Sequence, residues 1–462
     1  MNAILFALAA VFVTSVPAHA YYGRHSTEAV LTYHADADVA LGGRATVEQL
    51  NEAGPARQKA LALIHEQVRH LMGTFQAESF KRDFGYPGAL GESYQIRFTD
   101  AQPGSSRGRA LLSYDFRGTV VFQKESFHGR DERYVPLKLP LAPDLIYPLG
   151  LVKSHGREKN LCTDREYNDA DDFWYYWDPD MDGCPLSGNY TDVIHPRGKL
   201  VRLPNTQLSY PEYDRLYGDN GNGKNVDIAV FLGFIEDQNV DGKRPKRGDE
   251  ALTAFKYIEN DLKERGYELT EKKNRFRVDE KGNESDGINF LRRYEADVGE
   301  VHVRVLVILA DTDHESTDAT FRHYFVRLAS SSDILVYDGH SGLGENFDLG
   351  KMPGLWLDPN KYQIMLFNGC STYPYVNGQY FRAKGGTRNL EIVTAGLPEF
   401  ASTSGPNVVT FLDPFLKAKT LSYQKILSDM EISNGDEGTY LVGVKGDEDN
   451  EWTPNGLAGV EL

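Results

Sequence analysis

The chain has 462 residues and a formal net charge of −17 at neutral pH. This length exceeds what one ordinary hydrophobic core organises, so it predicts two or more domains. The negative charge argues against nucleic acids and anionic membrane surfaces as partners, because both would be repelled.

The first twenty residues have the pattern of a signal peptide. An apolar core spans residues 4–16, and Ala18-His19-Ala20 has the small-x-small form of a signal-peptidase site. The apolar run is too short to cross a membrane, and no later run reaches eighteen apolar residues. We therefore expect cleavage near Ala20 and an exported protein, secreted or periplasmic, without a membrane span.

Residues 21–155 predict a separate N-terminal domain of α+β or mainly β type. Pro55 suits the first position of a helix, and apolar residues follow it at helical spacing. Segments 94–98, 110–114 and 118–123 are apolar or alternating between turn residues, which predicts antiparallel strands. No residue pattern in this domain indicates chemistry.

Residues 156–222 form a loop-rich segment that contains two of the three cysteines. Export favours disulfides, and an odd cysteine count leaves one thiol unpaired. Because Cys162 and Cys184 lie close together in this segment, we predict a disulfide between them and a free thiol at Cys370.

Two short segments predict calcium loops. Each alternates oxygen-bearing side chains and has a glycine at the sixth place, as in the first half of an EF-hand loop. The predicted ligands are Asp178, Asp180 and Asp182 in the first loop and Asp237, Asn239 and Asp241 in the second. Neither loop has Glu at its twelfth place, so a plain acidic turn is the alternative interpretation.

Residues 223–425 predict an α/β domain. Buried strands are expected at 226–234, 301–310, 333–338, 362–368 and 390–394. Helical patterns separate most of these segments, and Asp249 can cap the first helix, so a mostly parallel sheet flanked by helices is expected. Segment 273–286 is charged and turn-rich, which indicates an exposed excursion. Residues 426–462 are predicted to form a C-terminal appendage with one more strand.

Two of these strands are followed closely by reactive side chains. The strand at 333–338 is followed by Gly339-His340, and the strand at 362–368 is followed by Gly369-Cys370. In an open α/β sheet, chemistry gathers at the carboxyl ends of the strands. If the two strands are neighbours, His340 and Cys370 emerge side by side, with a strand spacing of about 5 Å. An imidazole there can take the proton of the thiol and so produce a nucleophilic thiolate.

This pattern resembles the caspase-hemoglobinase group of cysteine peptidases, which includes caspases, gingipains, clostripain and legumain. The resemblance covers roughly residues 226–416 and implies a caspase-like fold that cleaves peptide or protein substrates. It implies that Cys370 is the nucleophile and that His340 is first the base and then the acid. The backbone N–H of Cys370 would help to form an oxyanion hole. Where the group has Gly after the His, this chain has Ser341, whose N–H would be the second donor.

Other interpretations remain. A caspase-like but inactive calcium-binding scaffold or binding protein is the main alternative to an enzyme. A serine hydrolase is disfavoured, because its catalytic His should follow Ser341 and no His follows His340 in the sequence. A zinc site has little support, since no H-E-x-x-H motif occurs. Glu399 or Asp413 could favour a basic substrate side chain, and the oligomeric state stays open.

Overall fold

A computed structural model of the chain describes residues 21–43, 45–51, 53–154, 156–203, 208–218, 222–235, 248–313, 316, 318–435, 440–450 and 452–454. Two predicted features lie outside these residues. They are the signal peptide at 1–20 and the second calcium loop with Asp237, Asn239 and Asp241.

The strands of the described residues are β1 (Tyr21–Tyr22), β2 (Ser26–Ala40), β3 (Gly88–Pro103), β4 (Arg109–Gln123), β5 (Glu132–Pro136), β6 (Leu139–Pro140), β7 (Leu151–Ser154), β8 (Arg157–Asn160), β9 (Val193–Ile194), β10 (Arg197–Leu203), β11 (Asn225–Gly233), β12 (Glu268–Val278), β13 (Glu284–Val298), β14 (Val301–Ala310), β15 (Ile334–Asp338), β16 (Gln363–Asn368), β17 (Leu390–Ala395) and β18 (Val442–Lys445).

The α-helices of the same residues are α1 (Pro55–Arg69), α2 (Leu71–Gln76), α3 (Glu78–Phe84), α4 (Pro143–Leu149), α5 (Tyr213–Tyr217), α6 (Glu250–Glu264), α7 (Thr320–Ser331), α8 (Asn377–Lys384), α9 (Ser404–Leu416) and α10 (Tyr423–Ser433). In the part of the chain that the structure describes, no helix has the length and apolar character needed to cross a membrane.

The chain divides into two compact units. The first contains Glu28–Leu203, and the second contains residues 21–27 and Pro204–Leu462. This division differs from the predicted boundaries at 155, 222 and 425. One reason is that β10 pairs with β2 and β5, so the predicted loop-rich segment contributes a strand to the first unit. Another is that α10 and β18 belong to the second unit rather than to an appendage.

The first unit contains a five-stranded antiparallel sheet in the order β3-β4-β2-β10-β5. The predicted apolar stripe after Pro55 forms α1 and α2 and is buried through Ile64, Val68 and Phe75. The predicted strands at 110–114 and 118–123 are one strand, β4, because Gly118 continues the ladder opposite Tyr94. The predicted disulfide between Cys162 and Cys184 is confirmed and lies in a small buried cluster of its own.

The second unit is built on a nine-stranded mixed sheet in the order β1-β18-β17-β16-β15-β11-β14-β13-β12. Its five central strands, from β17 to β14, are parallel, and the outer strands are antiparallel. The predicted central strands are therefore confirmed. The structure adds that β15 and β16 are neighbours, which the sequence had left as a condition. The predicted excursion at 273–286 is wrong: most of this segment forms the β12–β13 hairpin that extends the sheet.

Helices cover both faces of this sheet. Successive residues of β11 alternate between two buried clusters, so Val230 packs with residues of α6, α9 and α10, and Phe231 packs with residues of α7 and α8. Burying a side chain such as Phe231 stabilises the fold by about 2 kcal/mol. Asp249 caps α6 as predicted, since its carboxylate accepts from the N–H of Leu252. The predicted mixed α/β class is confirmed.

Candidate functional site

Three glycines bring the carboxyl ends of β11, β15 and β16 together. A Cβ on Gly339 would lie 3.0 Å from backbone atoms of Gly233, and Gly339 has a φ of +151°. A Cβ on Gly369 would lie 2.5 Å from the carbonyl oxygen of Gly339. Because these positions leave no room for a side chain, the three strand ends meet backbone to backbone. The residues that follow each strand are thereby gathered at one edge of the sheet.

His340 is exposed at this edge and is held by a backbone oxygen. Its ring Nε2 lies 2.8 Å from the carbonyl oxygen of Ile235, which follows β11. Since a carbonyl oxygen only accepts, this contact assigns the ring proton to Nε2 when the imidazole is neutral. Nδ1 is then the nitrogen that can accept a proton.

Cys370 occupies the matching place on the neighbouring strand. Asp338 of β15 is paired in register with Asn368 of β16, and His340 and Cys370 each lie two residues further on. Cys370 is partly buried and is the free cysteine of the chain. Among the described residues, no hydrogen bond joins its Sγ to the ring of His340. The two side chains are therefore at the same edge without a preformed ion pair.

The surroundings of Cys370 hold it in the thiol form at rest. Burial raises the pKa of the Cys370 thiol to about 11, and the negative charges of Glu399 and Asp338 add to this shift. The backbone N–H of Glu399 acts in the opposite direction by favouring the thiolate. At neutral pH the sulfur keeps its proton until a base removes it.

A pair of buried carboxyl groups lies next to the thiol. Asp338 accepts hydrogen bonds from Asn368 Nδ2, at 2.6 Å, and from the Ser404 hydroxyl. Glu399 accepts from Asn407 Nδ2 at 3.0 Å. Burial raises the pKa of Asp338 to about 6 and that of Glu399 well above its usual range. Within the described residues, no Lys or Arg forms an ion pair with either carboxyl group.

The turn after Cys370 is tightly pinned and leaves one polar atom unsatisfied. Thr372 Oγ1 donates to the Phe367 carbonyl at 2.7 Å and accepts from the Ala395 N–H at 3.0 Å. Ser371 between them has a φ of +48°, in the left-handed region. Its buried hydroxyl has no hydrogen-bond partner in the described part of the chain. The backbone N–H groups of Ser341 and Cys370 likewise donate to no residue that the structure describes.

The first predicted calcium loop is engaged by protein groups. Asp178 is buried and accepts from Ser79 Oγ at 2.8 Å, from Ser79 N at 3.3 Å and from Asp180 N at 3.0 Å. Asp180 is paired with the ammonium group of Lys138, and Asp182 is exposed. The three carboxylates do not converge, and a lysine ammonium lies beside Asp180. Calcium binding at this loop stays a prediction.

One more acidic residue that the sequence offered for binding a basic substrate side chain, Asp413, already has cationic partners. Asp413 is paired with Arg265 at 2.8 Å and with Lys417 at 2.7 Å, so its charge is already balanced. No group of three or more His, Cys, Asp or Glu side chains suited to a metal ion occurs among the residues that the structure describes.

Several site residues could not be found from the sequence. The contact between His340 and Ile235 uses the backbone carbonyl oxygen of Ile235. Every residue has this group, so the sequence gives no sign of the contact. Asp338 did have a visible signal, because it stands two residues before His340 just as Asn368 stands two before Cys370.

Comparisons with known proteins return no likeness: no protein-family model, no curated protein and no solved structure matches this chain.

Proposed function

We propose that this protein is an exported cysteine endopeptidase with a caspase-like second unit, in which Cys370 is the nucleophile and His340 is the base. The observation that carries the proposal is the pairing of β15 with β16, which gives His340 and Cys370 matching positions at one sheet edge. The contact of His340 Nε2 with Ile235 supports it further, because Nδ1 is left to accept the thiol proton.

The proposed reaction follows from these atoms. As the substrate carbonyl approaches, the Cys370 proton passes to His340 Nδ1 and the sulfur attacks the carbonyl carbon. The negative charge that develops on the carbonyl oxygen is met by the N–H groups of Ser341 and Cys370. The imidazolium then protonates the leaving amine, the C–N bond breaks and a thioester remains. A water molecule, deprotonated by His340, hydrolyses this thioester and restores the thiol.

The charge near the thiol suggests a substrate preference. Asp338 and Glu399 raise the thiol pKa and lack a cationic partner among the described residues. These carboxylates repel the negative charge of the Cys370 thiolate. A positively charged substrate side chain close to Glu399 would offset this repulsion and so favour the thiolate. Asp413 is not proposed for this role, because Arg265 and Lys417 already balance its charge.

Calcium is proposed as a stabilising or regulatory ion. The second predicted loop, with Asp237, Asn239 and Asp241, immediately follows the segment that contains Ile235. An ion bound there would lie close in sequence to the residue that holds His340.

A non-catalytic scaffold is the second candidate function. It is favoured by the raised thiol pKa and by the absence of a Cys370–His340 hydrogen bond among the described residues. In that case the fold would serve binding alone.

Cleavage of a peptide library separates the two candidates. The full-length protein and its Cys370→Ala variant are incubated with the library in calcium-containing buffer, and products are identified by mass spectrometry. We expect cleavage by the wild type, enriched at one class of side chain, and none by the variant. Equal product patterns for the two proteins would show that the cleavage does not depend on Cys370 and would overturn the proposed nucleophile. No products from either protein would favour the scaffold.

A further inference from the structure

The peptide group between His340 and Ser341 is held firmly on one side. Its carbonyl oxygen, that of His340, accepts from Asn346 Nδ2 at 2.7 Å and from the hydroxyl of Tyr337. Tyr337 and Asn346 are both buried, and Asn346 Nδ2 lies 3.3 Å from the Tyr337 hydroxyl oxygen. Thr312 Oγ1 completes this group at 3.4 Å from the Tyr337 hydroxyl.

The next carbonyl is held as well. Ser341 O accepts from the N–H of Gly344 at 2.9 Å and from the N–H of Asn346 at 3.3 Å. Gly342 makes this possible, because a Cβ there would lie 2.8 Å from the Asn346 side-chain oxygen. The short loop therefore folds back so that Asn346 reaches the peptide group preceding Ser341.

Planarity of the peptide group sets the direction of the Ser341 N–H. In a trans peptide the N–H points away from the C=O, so anchoring the His340 oxygen aims the Ser341 N–H to the opposite side. That N–H donates to no residue that the structure describes, which leaves it available to an incoming acceptor. Ser341 has a φ of −76° and a ψ of −23°, which any residue adopts, so glycine is not required here.

We propose that Tyr337 and Asn346 are positioning residues that aim the Ser341 N–H at the oxyanion formed when Cys370 attacks a carbonyl group. This inference rests on the proposed function and deepens it. The two side chains do not touch the reacting atoms. Their hydrogen bonds to the His340 carbonyl oxygen prevent the 340–341 peptide group from rotating. The Ser341 N–H is thereby fixed as an oxyanion donor, although residue 341 is Ser and not Gly.

Two reagents distinguish a positioned oxyanion donor from a general structural brace. Acylation by p-nitrophenyl acetate requires the Cys370 sulfur to attack a carbonyl carbon. A charged oxygen forms, p-nitrophenolate leaves, and the thiol proton goes to His340. Alkylation by iodoacetamide displaces iodide at a saturated carbon and forms no oxyanion. Because Cys162 and Cys184 are joined in a disulfide, Cys370 is the free thiol, and the mass change that is absent from the Cys370→Ala variant reports modification at Cys370.

The test compares the full-length wild type with Asn346→Ala and Tyr337→Phe, and with Asn360→Ala as an exposed control. We expect Asn346→Ala to slow acylation by about 10- to 100-fold. We expect Tyr337→Phe, which keeps the ring and the hydrogen bond from Asn346 Nδ2 to the His340 carbonyl, to slow it by roughly 3- to 10-fold. The rate of alkylation should stay within about twofold in both variants, and the control should match the wild type in both reactions.

The outcomes separate the two proposals. If acylation and alkylation fall together, or if acylation does not change in the variants, the positioning role is overturned while the peptidase proposal stands. If the wild type is alkylated but never acylated, both proposals are overturned. Should Asn346→Ala lose its thermal transition, the near-isosteric Tyr337→Phe variant decides the question.

Discussion

The turn at Asp178 and the turn at Cys370 make an instructive comparison, because short sequence patterns singled out both as sites of chemistry. At the first, the buried carboxylate of Asp178 accepts three hydrogen bonds, and the neighbouring Asp180 is paired with Lys138. At the second, the Ser371 hydroxyl is unsatisfied within the described residues, and Glu399 has no cationic partner there.

The difference lies in how completely each turn uses its polar groups. A buried polar group without a partner costs stability, so a fold usually satisfies it. The Asp178 turn follows this rule and joins parts of the first unit that are distant in sequence. The Cys370 turn departs from the rule, because the Ser371 hydroxyl and the Cys370 N–H have no partner in the described residues. Unsatisfied donors of this kind, beside buried carboxyl groups such as Glu399, are groups that a reaction would use.

The largest expected effect is on catalysis. Replacing His340 by Ala removes the group that would accept the Cys370 proton, so we expect peptide cleavage to fall on the order of 10³-fold or more. The initial rate on the best library peptide measures this effect. His323→Ala, at an exposed position on α7, is the control and should retain full activity. A His340→Ala variant that cleaves at the wild-type rate would exclude the proposed dyad.

The next effect concerns stability of the first unit. Asp178→Ala leaves the Ser79 and Asp180 donors without their acceptor, so we expect a loss of about 3 kcal/mol in the free energy of unfolding. Urea denaturation measures it, and Asp182→Ala, at an exposed position of the same turn, should change it by less than about 0.5 kcal/mol. Equal losses in the two variants would show that the turn is not organised by Asp178.

Calcium sharpens the same comparison. At a hundred times its Kd, an ion stabilises the folded protein by about 2.7 kcal/mol. If the ion occupies the second predicted loop, chelation should lower Tm by roughly 5 °C or more, and Asp237→Asn should abolish this shift. Because Lys138 neutralises Asp180 in the first loop, Asp182→Asn should retain the shift. An unchanged Tm after chelation in the wild type would remove calcium from the proposal.

The acidity of Cys370 is the next test. The rate at which the thiol reacts with iodoacetamide should increase with pH and show no plateau below about pH 11, since burial raises the pKa of Cys370 to about 11. Glu399→Gln removes a nearby negative charge and should lower the thiol pKa, so that alkylation at about pH 9 becomes roughly 3- to 10-fold faster. The exposed control Glu264→Gln should leave the profile unchanged. A Glu399→Gln profile that overlays the wild type would contradict the assigned electrostatics.

The smallest effect tests the unsatisfied hydroxyl directly. Ser371→Ala deletes a buried polar atom that lacks a partner in the described residues and keeps a Cβ in the same backbone conformation. We expect the free energy of unfolding of the second unit to rise by about 1 kcal/mol, measured by chemical denaturation. The exposed Ser402→Ala is the control. A loss of stability would mean that the hydroxyl has a favourable contact.

Much of the second unit was predictable because its central strands are buried on both faces. Such strands appear in the sequence as short apolar runs, as in β11, β14, β15 and β16. The β12–β13 hairpin was missed because its edge strand is exposed and highly charged. Its one buried cation, Arg292, is satisfied by Glu259 of α6, a contact distant in sequence.

By itself, the sequence determined the mixed α/β class, the pairing of Cys162 with Cys184, and the positions of His340 and Cys370 after their strands. These depend on local sequence patterns and on the odd number of cysteines. Only the tertiary structure decided that β15 adjoins β16, that Ile235 holds the imidazole, and that Asp178 contacts Ser79 and Asp180. These contacts mostly join residues far apart along the chain, and several use backbone atoms that every residue carries.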